Sequence, residues 1–205
     1  MSTESIITFC CALLIWVVIP GPAILAIVAN SLTSGLKSSL YLIGGILLGD
    51  VFYITLVLIG MTAIGKFLGE FFVFVRFAGA LYLIFLGLSL WFKDTNSVSS
   101  TSPKESRDEY KNFLTGFSIT LGNPKAILFH LGFLPTFFDL SAITFVDAFL
   151  IIFVFLTVLG TSLSIYALIA VKVKSFVKDR QKIRLLNRGV GTVFIGTGVA
   201  LATKQ

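Results

Sequence analysis

Asp50 lies about ten residues into an apolar segment near 40–64, which places it roughly 15 Å deep at about 1.5 Å per residue if that segment is a helix. A carboxylate near the centre of a bilayer costs on the order of a few kcal/mol, so it must face a bundle interior, a cavity or a partner. A carboxylate that takes up a proton escapes this cost, which suits the group to carrying one. It could equally hold a substrate ammonium, or form a structural ion pair or a helix-packing hydrogen bond. Tyr53 follows three residues later on the same helix face and fits either role. Lys125 stands about twelve residues into a segment near 113–138, at a similar depth. Its ammonium could hold a carboxylate, of Asp50 or of a zwitterion, or its long stem could run along its own helix.

Prolines interrupt the same segments. Pro20-Gly21-Pro22 falls inside the first apolar stretch and Asn123-Pro124-Lys125 inside the fourth. Pro20 and Pro22 cannot donate to the carbonyls of Trp16 and Val18, and Pro124 cannot donate to that of Thr120. A helix broken within a membrane survives only where protein or water satisfies the freed groups. The restarted half presents free N–H groups and the positive end of its dipole, which suits a carboxylate. Asn123 is a fitting N-cap for the restart. A plain proline kink is the other explanation, and two breaks in matching places favour binding.

Other chemistry is thinly represented. His130 is the only histidine, and five residues from Lys125 it points about 140° away on an ideal helix. It reads as a satisfied polar residue rather than a metal ligand. Cys10 and Cys11 are adjacent, with no CxxC and no third cysteine. No nucleophile–base pair, phosphate loop or paired-carboxylate motif is present. An enzyme, a metal site and a cofactor are therefore not expected. Thr161, Ser162 and Ser164 either bond their own carbonyls or line a path with Tyr166.

The elements that must position these residues follow from composition. In 205 residues, 56% are hydrophobic, 13% are charged and 21 are phenylalanine. The mean hydropathy is +0.98. Soluble domains run at about 25% charged, so the chain is an integral membrane protein. Apolar segments near 6–28, 40–64, 71–92, 113–138, 143–171 and 185–202 predict a single all-α domain of six transmembrane helices. They lack the alternation of a barrel wall. The only charge ahead of the first segment is Glu4, so that segment is expected to be a retained helix and not a signal peptide. Residues 93–112, rich in Ser, Thr and charge, read as a cytoplasmic linker.

The charge of +6 is a topology signal and not a nucleic-acid site. Twelve Lys and Arg fall in the loops after the first, third and fifth segments: Lys37, then Lys93, Lys104, Arg107 and Lys111, then seven from Lys172 to Arg188. Only Lys66, Arg76 and Lys204 fall on the other side. The odd-numbered loops are thus expected in the cytoplasm and both termini outside. Three spans per half, with matching breaks, suggest an inverted three-plus-three repeat, the device by which transporters build a midplane site. Phe85 and Phe194 match at the same offset as Gly87 and Gly196. Gly45 and Gly49 form a GxxxG that reads as close helix packing.

Taken in order, these motifs resemble the LysE/RhtB family of amino-acid exporters over nearly the whole chain. The resemblance is carried by Pro20-Gly21-Pro22, Gly35-Leu36, Gly45, Gly49-Asp50, Gly79 to Gly87 after Arg76, Asn123-Pro124-Lys125-Ala126, Leu134-Pro135, Tyr166 and Leu186-Asn187-Arg188 before Gly191. It implies a bacterial inner-membrane exporter of amino acids or close derivatives, driven by the proton motive force. Thr136 stands where many members carry Gln, and His130 where members carry an apolar or aromatic residue. On this footing Asp50 is expected to carry the proton. Pro20, Gly21, Pro22, Tyr53, Asn123, Pro124, Lys125 and Tyr166 are expected at the substrate. The expected partners are a small zwitterion, protons and lipid, with self-association left open. An exporter of another small solute or metal ion, or a passive channel, is the alternative.

Overall fold

The computed structural model describes residues 2–63, 77, 80–92, 105–139, 142–174 and 180–203, and every element among them is helical. Helix α1 (Thr3–Val18) opens on Ser2, whose hydroxyl accepts from the Ser5 N–H at 3.1 Å. It stops just before Pro20. Helix α2 (Pro22–Ser34) restarts with proline in its first turn, where the missing N–H is harmless, and lies at 58° to α1. It ends on Gly35, whose φ of +87° favours glycine. Helix α3 (Leu36–Ala63) follows at once, and α4 (Ala80–Trp91) and α5 (Glu105–Leu121) come next.

The chain then breaks at Gly122-Asn123 and resumes as α6 (Pro124–Leu128), a π-helical turn (Phe129–Phe133) and α7 (Leu134–Phe137). Pro135 cannot donate to the Leu131 carbonyl, and the wider turn, in which Leu134 N–H bonds Phe129 O, takes up that defect. Helix α8 (Phe145–Lys174) opens on a reciprocal cap: Asp147 accepts from the Thr144 N–H and hydroxyl, and the Thr144 hydroxyl accepts from the Asp147 N–H. Helix α9 (Arg180–Thr203) closes the chain.

Among the described residues, α3 and α8 are each long and apolar enough to cross a membrane, and the bent α1–α2 pair makes a third such span. The fourth expected segment is interrupted at Asn123 and again at the π turn, and α9 begins within the basic stretch, so neither is one plain apolar rod. Much of the third segment, including Gly79 and Arg76, lies outside the described residues. So do 93–104 of the expected linker and 175–179 of the basic stretch. The rest of that linker is not a linker: it is helical from Glu105. The reason is tertiary. Glu109 pairs with Lys37 at 2.9 Å, and Asn112 donates to Ser38 at 2.8 Å, so polar residues at the start of α5 are tied to the start of α3. The Lys37 hydrogen bond also holds the Glu109 carboxyl below the usual carboxylate range.

The closest pairing is between α3 and α5. An added Cβ at Gly45 would lie 1.9 Å from the Phe113 carbonyl oxygen, and one at Gly116 would lie 2.0 Å from that of Leu42. At Gly49 it would meet Thr120 Cβ at 2.7 Å. Contacts climb both helices in the same order, from Lys37–Glu109 to Tyr53–Leu121, so the two run parallel. By contrast α4 and α9 run antiparallel, with Gly87 and Gly191 each against the other's carbonyl and Trp91 Nε1 donating to Arg188 O at 2.9 Å.

Gly45→Ala and Gly116→Ala are expected to force α3 and α5 apart and to lower the unfolding temperature in detergent by about 5 °C or more, the scale of a 1–3 kcal/mol overpacking defect. Gly132→Ala and Gly196→Ala, which place a methyl where nothing lies within 4 Å, are expected to leave it unchanged or raise it.

Candidate functional site

The two helix breaks face each other. Between them lies a cavity of about 60 Å³. A single water needs only roughly 10–15 Å³. Its polar lining comes from Asp50, Thr120, Asn123, Lys125 and His130, with Gly21 at the first break. Its apolar walls include Ile24, Ile46, Phe155 and Leu163. Phe9, Phe129, Phe137, Phe138 and Phe155 form one packed ring cluster beside it, with Phe9 and Phe138 centroids 5.1 Å apart.

Asp50 is 4% exposed and lies against His130 of the π turn, with Oδ1 and Nε2 2.9 Å apart. His130 is itself fully buried, and its Nδ1 has no hydrogen-bond partner. The imidazole sits among the rings of Phe155 at 5.0 Å, Phe129 at 5.6 Å and Tyr53 at 5.8 Å. A bare acceptor lone pair among rings costs less than a bare N–H. That favours the tautomer in which Nε2–H donates to the carboxylate. The same contact persists when Asp50 is protonated on Oδ2, because Oδ1 still accepts from Nε2–H. The pair can thus gain or lose one proton without losing its hydrogen bond. Its net charge then passes between −1 and 0.

Lys125 does not meet Asp50. Its Nζ donates to the carbonyls of Trp16, at 2.6 Å, and Ile19, and lies 5.2 Å from the Trp16 ring centre. The Trp16 carbonyl is the one that Pro20 deprives of its helical partner. A cation at the end of α1 also meets the negative end of its dipole. The second broken helix therefore repairs the first. Two of three ammonium donors are used in this way. Asn123 caps α6, its Oδ1 accepting from the Lys125 N–H at 3.1 Å.

The remaining expected residues divide. Gly21 lies over the Lys125 stem, where a Cβ would stand 3.1 Å from Lys125 Cδ. Pro20, Pro22 and Pro124 shape the breaks and do not line the cavity. Tyr53 is buried and donates to the Leu121 carbonyl at 2.6 Å, which anchors the end of α5 just before the second break. Tyr166 packs against the apolar core and is not brought to the cavity. Ser162 and Ser164 bond their own helix, at Val158 O and Gly160 O. Thr136 is exposed and bonds Phe133 O. His130, read from the sequence as a hydrogen-bonded polar residue, is one at Nε2, with Asp50 as the partner that the sequence did not name. Its angle from Lys125 separates the two only if the site is a single direction, and here the cavity lies between them. The signal available was its unusual place in the family pattern. No group of three or more His, Cys, Asp or Glu suited to a metal occurs among the described residues.

A family model described as LysE type translocator matches residues 14–205. The chain belongs to this family. It is a transport protein of the membrane rather than an enzyme. The translocator is similar to an uncharacterized membrane protein of Synechocystis sp., 30% identical over 201 residues, covering 98% of this chain and 97% of the relative. It is similar to a leucine efflux protein of Klebsiella pneumoniae, 32% identical over 196 residues, covering 92% and 90%. A leucine efflux protein of Salmonella choleraesuis is 28% identical over 191 residues, covering 92% and 90%. No solved structure matches the chain.

His130→Phe, which leaves the carboxylate buried without its partner, is expected to destabilise the translocator by about 3 kcal/mol, and Asp50→Leu combined with it to recover part of that loss. Lys125→Met, which strips both α1 carbonyls, is expected to cost about 2 kcal/mol or more. Thermal unfolding in detergent measures all three.

Proposed function

We propose that this translocator exports amino acids or close zwitterionic derivatives from the cytoplasm by proton antiport, with Asp50 carrying the proton. The observation that supports this most directly is the buried Asp50–His130 pair, set into the wall of the cavity between the two helix breaks. A carboxylate held this way in lipid must either stay neutral or change charge as cargo moves. When the pair holds a proton, the cavity loses its negative charge. When it releases one, it offers that charge to a substrate ammonium. Cargo and proton then exclude each other, which is what antiport requires.

The other end of the zwitterion is read at the breaks. Lys125 keeps one ammonium donor after capping α1. The first turn of α2 has no intrahelical partners for the N–H groups of Ala23 and Ile24, both of which line the cavity. A substrate carboxylate fits between these donors, with Asn123 beside it. The walls of Leu13, Ile24, Ile46 and Leu163 suit an apolar side chain, in keeping with relatives named leucine efflux proteins.

Six spans in an inverted repeat fit this scheme. Parallel α3 and α5 require the chain to recross between them, and α4 is the helix available to do so. Antiparallel α4 and α9 follow the same plan. The excess of Lys and Arg in the odd-numbered loops supports a bacterial inner-membrane protein with both termini outside. Access would alternate as one half rocks against the other.

Cells overproducing the translocator and fed a panel of dipeptides are expected to release one or a few amino acids selectively, and an uncoupler to abolish the release. Asp50→Asn, a mimic of the protonated acid, is expected to lose gradient-driven export while retaining exchange of substrate for substrate. Efflux that is insensitive to the uncoupler and never saturates would instead identify a channel.

A further inference from the structure

A second cavity, of about 110 Å³, lies toward the other end of the bundle among α2, α3, α4, α5 and α9. Among the described residues, none that lines it is charged. Its polar lining is made mainly of amides: Asn30, Asn112 and Asn187. Asn30 and Asn112 both direct their side-chain N–H groups to the Ser38 hydroxyl, at 2.9 and 2.8 Å. Their side-chain oxygens are left as acceptors. Asn187 is 4% exposed, and it lines this cavity. An amide at the wall of a cavity offers a ligand both donors and an acceptor.

The cavity sits near the Lys37–Glu109 end of α3 and α5, the end that the basic loops assign to the cytoplasm. It lies about one helical turn from the central cavity along α3 and adjoins it on α5. Leu42 lines one and Ile46 the other on α3, and Ile119 and Thr120 do so on α5. Between them Ile27, Ile43, Ile46 and Ile119 belong to a single buried aliphatic cluster.

We propose that this cavity is a second substrate site, where an amino acid with an apolar side chain waits on the cytoplasmic side before passing the isoleucine barrier. The proposal rests on the exporter reading above. The acceptor oxygens of Asn30 and Asn112 suit the ammonium, and the Asn187 amide suits the carboxylate. Leu86, Leu90 and Phe194 supply the wall for the side chain. A neutral site of this kind binds the zwitterion without competing with the charge change at Asp50.

The test is transport of L-leucine by the full chain in oriented proteoliposomes. The internal and external faces are titrated separately, at fixed proton gradient. Asn187→Leu is expected to raise the apparent KM at the cytoplasmic face at least tenfold. The maximal rate, the proton coupling and the external-face KM are expected to stay unchanged. Asn187→Gln is expected to restore much of the affinity. An unchanged KM, or an equal loss at both faces, would overturn the proposal. A second measurement does not depend on the tolerance of position 187. Leu90→Cys, with Cys10 and Cys11 replaced by Ser, is expected to be protected by L-leucine from a maleimide. Protection must persist when Asp50→Asn is added. Labelling indifferent to L-leucine in a protein that still exports it would count against the second site alone. A wild-type protein that exports no amino acid at all would count against the exporter reading instead.

Discussion

The contact of α3 with α5 governs the rest of the molecule. At Gly45 and Gly116 each helix rests against the other's backbone, at a separation that no side chain could tolerate. Lipid gives apolar side chains no reason to leave it, so association depends on close packing and on polar groups that need partners. Both operate here. The glycines provide the approach, while Asn112 on Ser38, Thr120 on the Ile46 carbonyl and Tyr53 on the Leu121 carbonyl fix the register. That register brings the end of α5, and hence the break at Asn123, to the level of Asp50.

From this pairing the site assembles by satisfying groups that cannot be left bare in lipid. The break in the first helix exposes carbonyls, and Lys125 of the second broken segment covers them. Asn123 covers the Lys125 N–H. Pro135 deprives Leu131 of its partner, and the π turn that absorbs the defect carries His130 to Asp50. Among the described residues, the buried side-chain atom left bare is His130 Nδ1, set among aromatic rings.

Several of these features were legible from the residues. The position of Asp50 in an apolar run announced a buried carboxylate, and the prolines announced breaks and named the Trp16 carbonyl as an orphan. Gly45 and Gly49 announced a close helix pair. Asn123 before Pro124 announced a cap. The linker assigned to 93–112 ran too far, because residues 105–112 are polar for the sake of neighbours on α3 and not for solvent alone. Composition does not distinguish these cases. Tyr166 was grouped with the site on residue type, yet it packs in the core.

By itself the sequence determined the medium, the helical class, the places where helices break and the few polar groups that lipid would not tolerate unpaired. Those depend on local chemistry: hydropathy over about twenty residues, the absent N–H of proline, the cost of a charge. Which polar group meets which was decided only by tertiary structure. By depth alone Asp50 could have met Lys125, and the structure gives it His130 instead. The choice followed from helix register and rotation, set by glycine contacts between segments some seventy residues apart in the chain. The lysine went to the broken backbone, whose carbonyls had no other partner, and the histidine went to the acid.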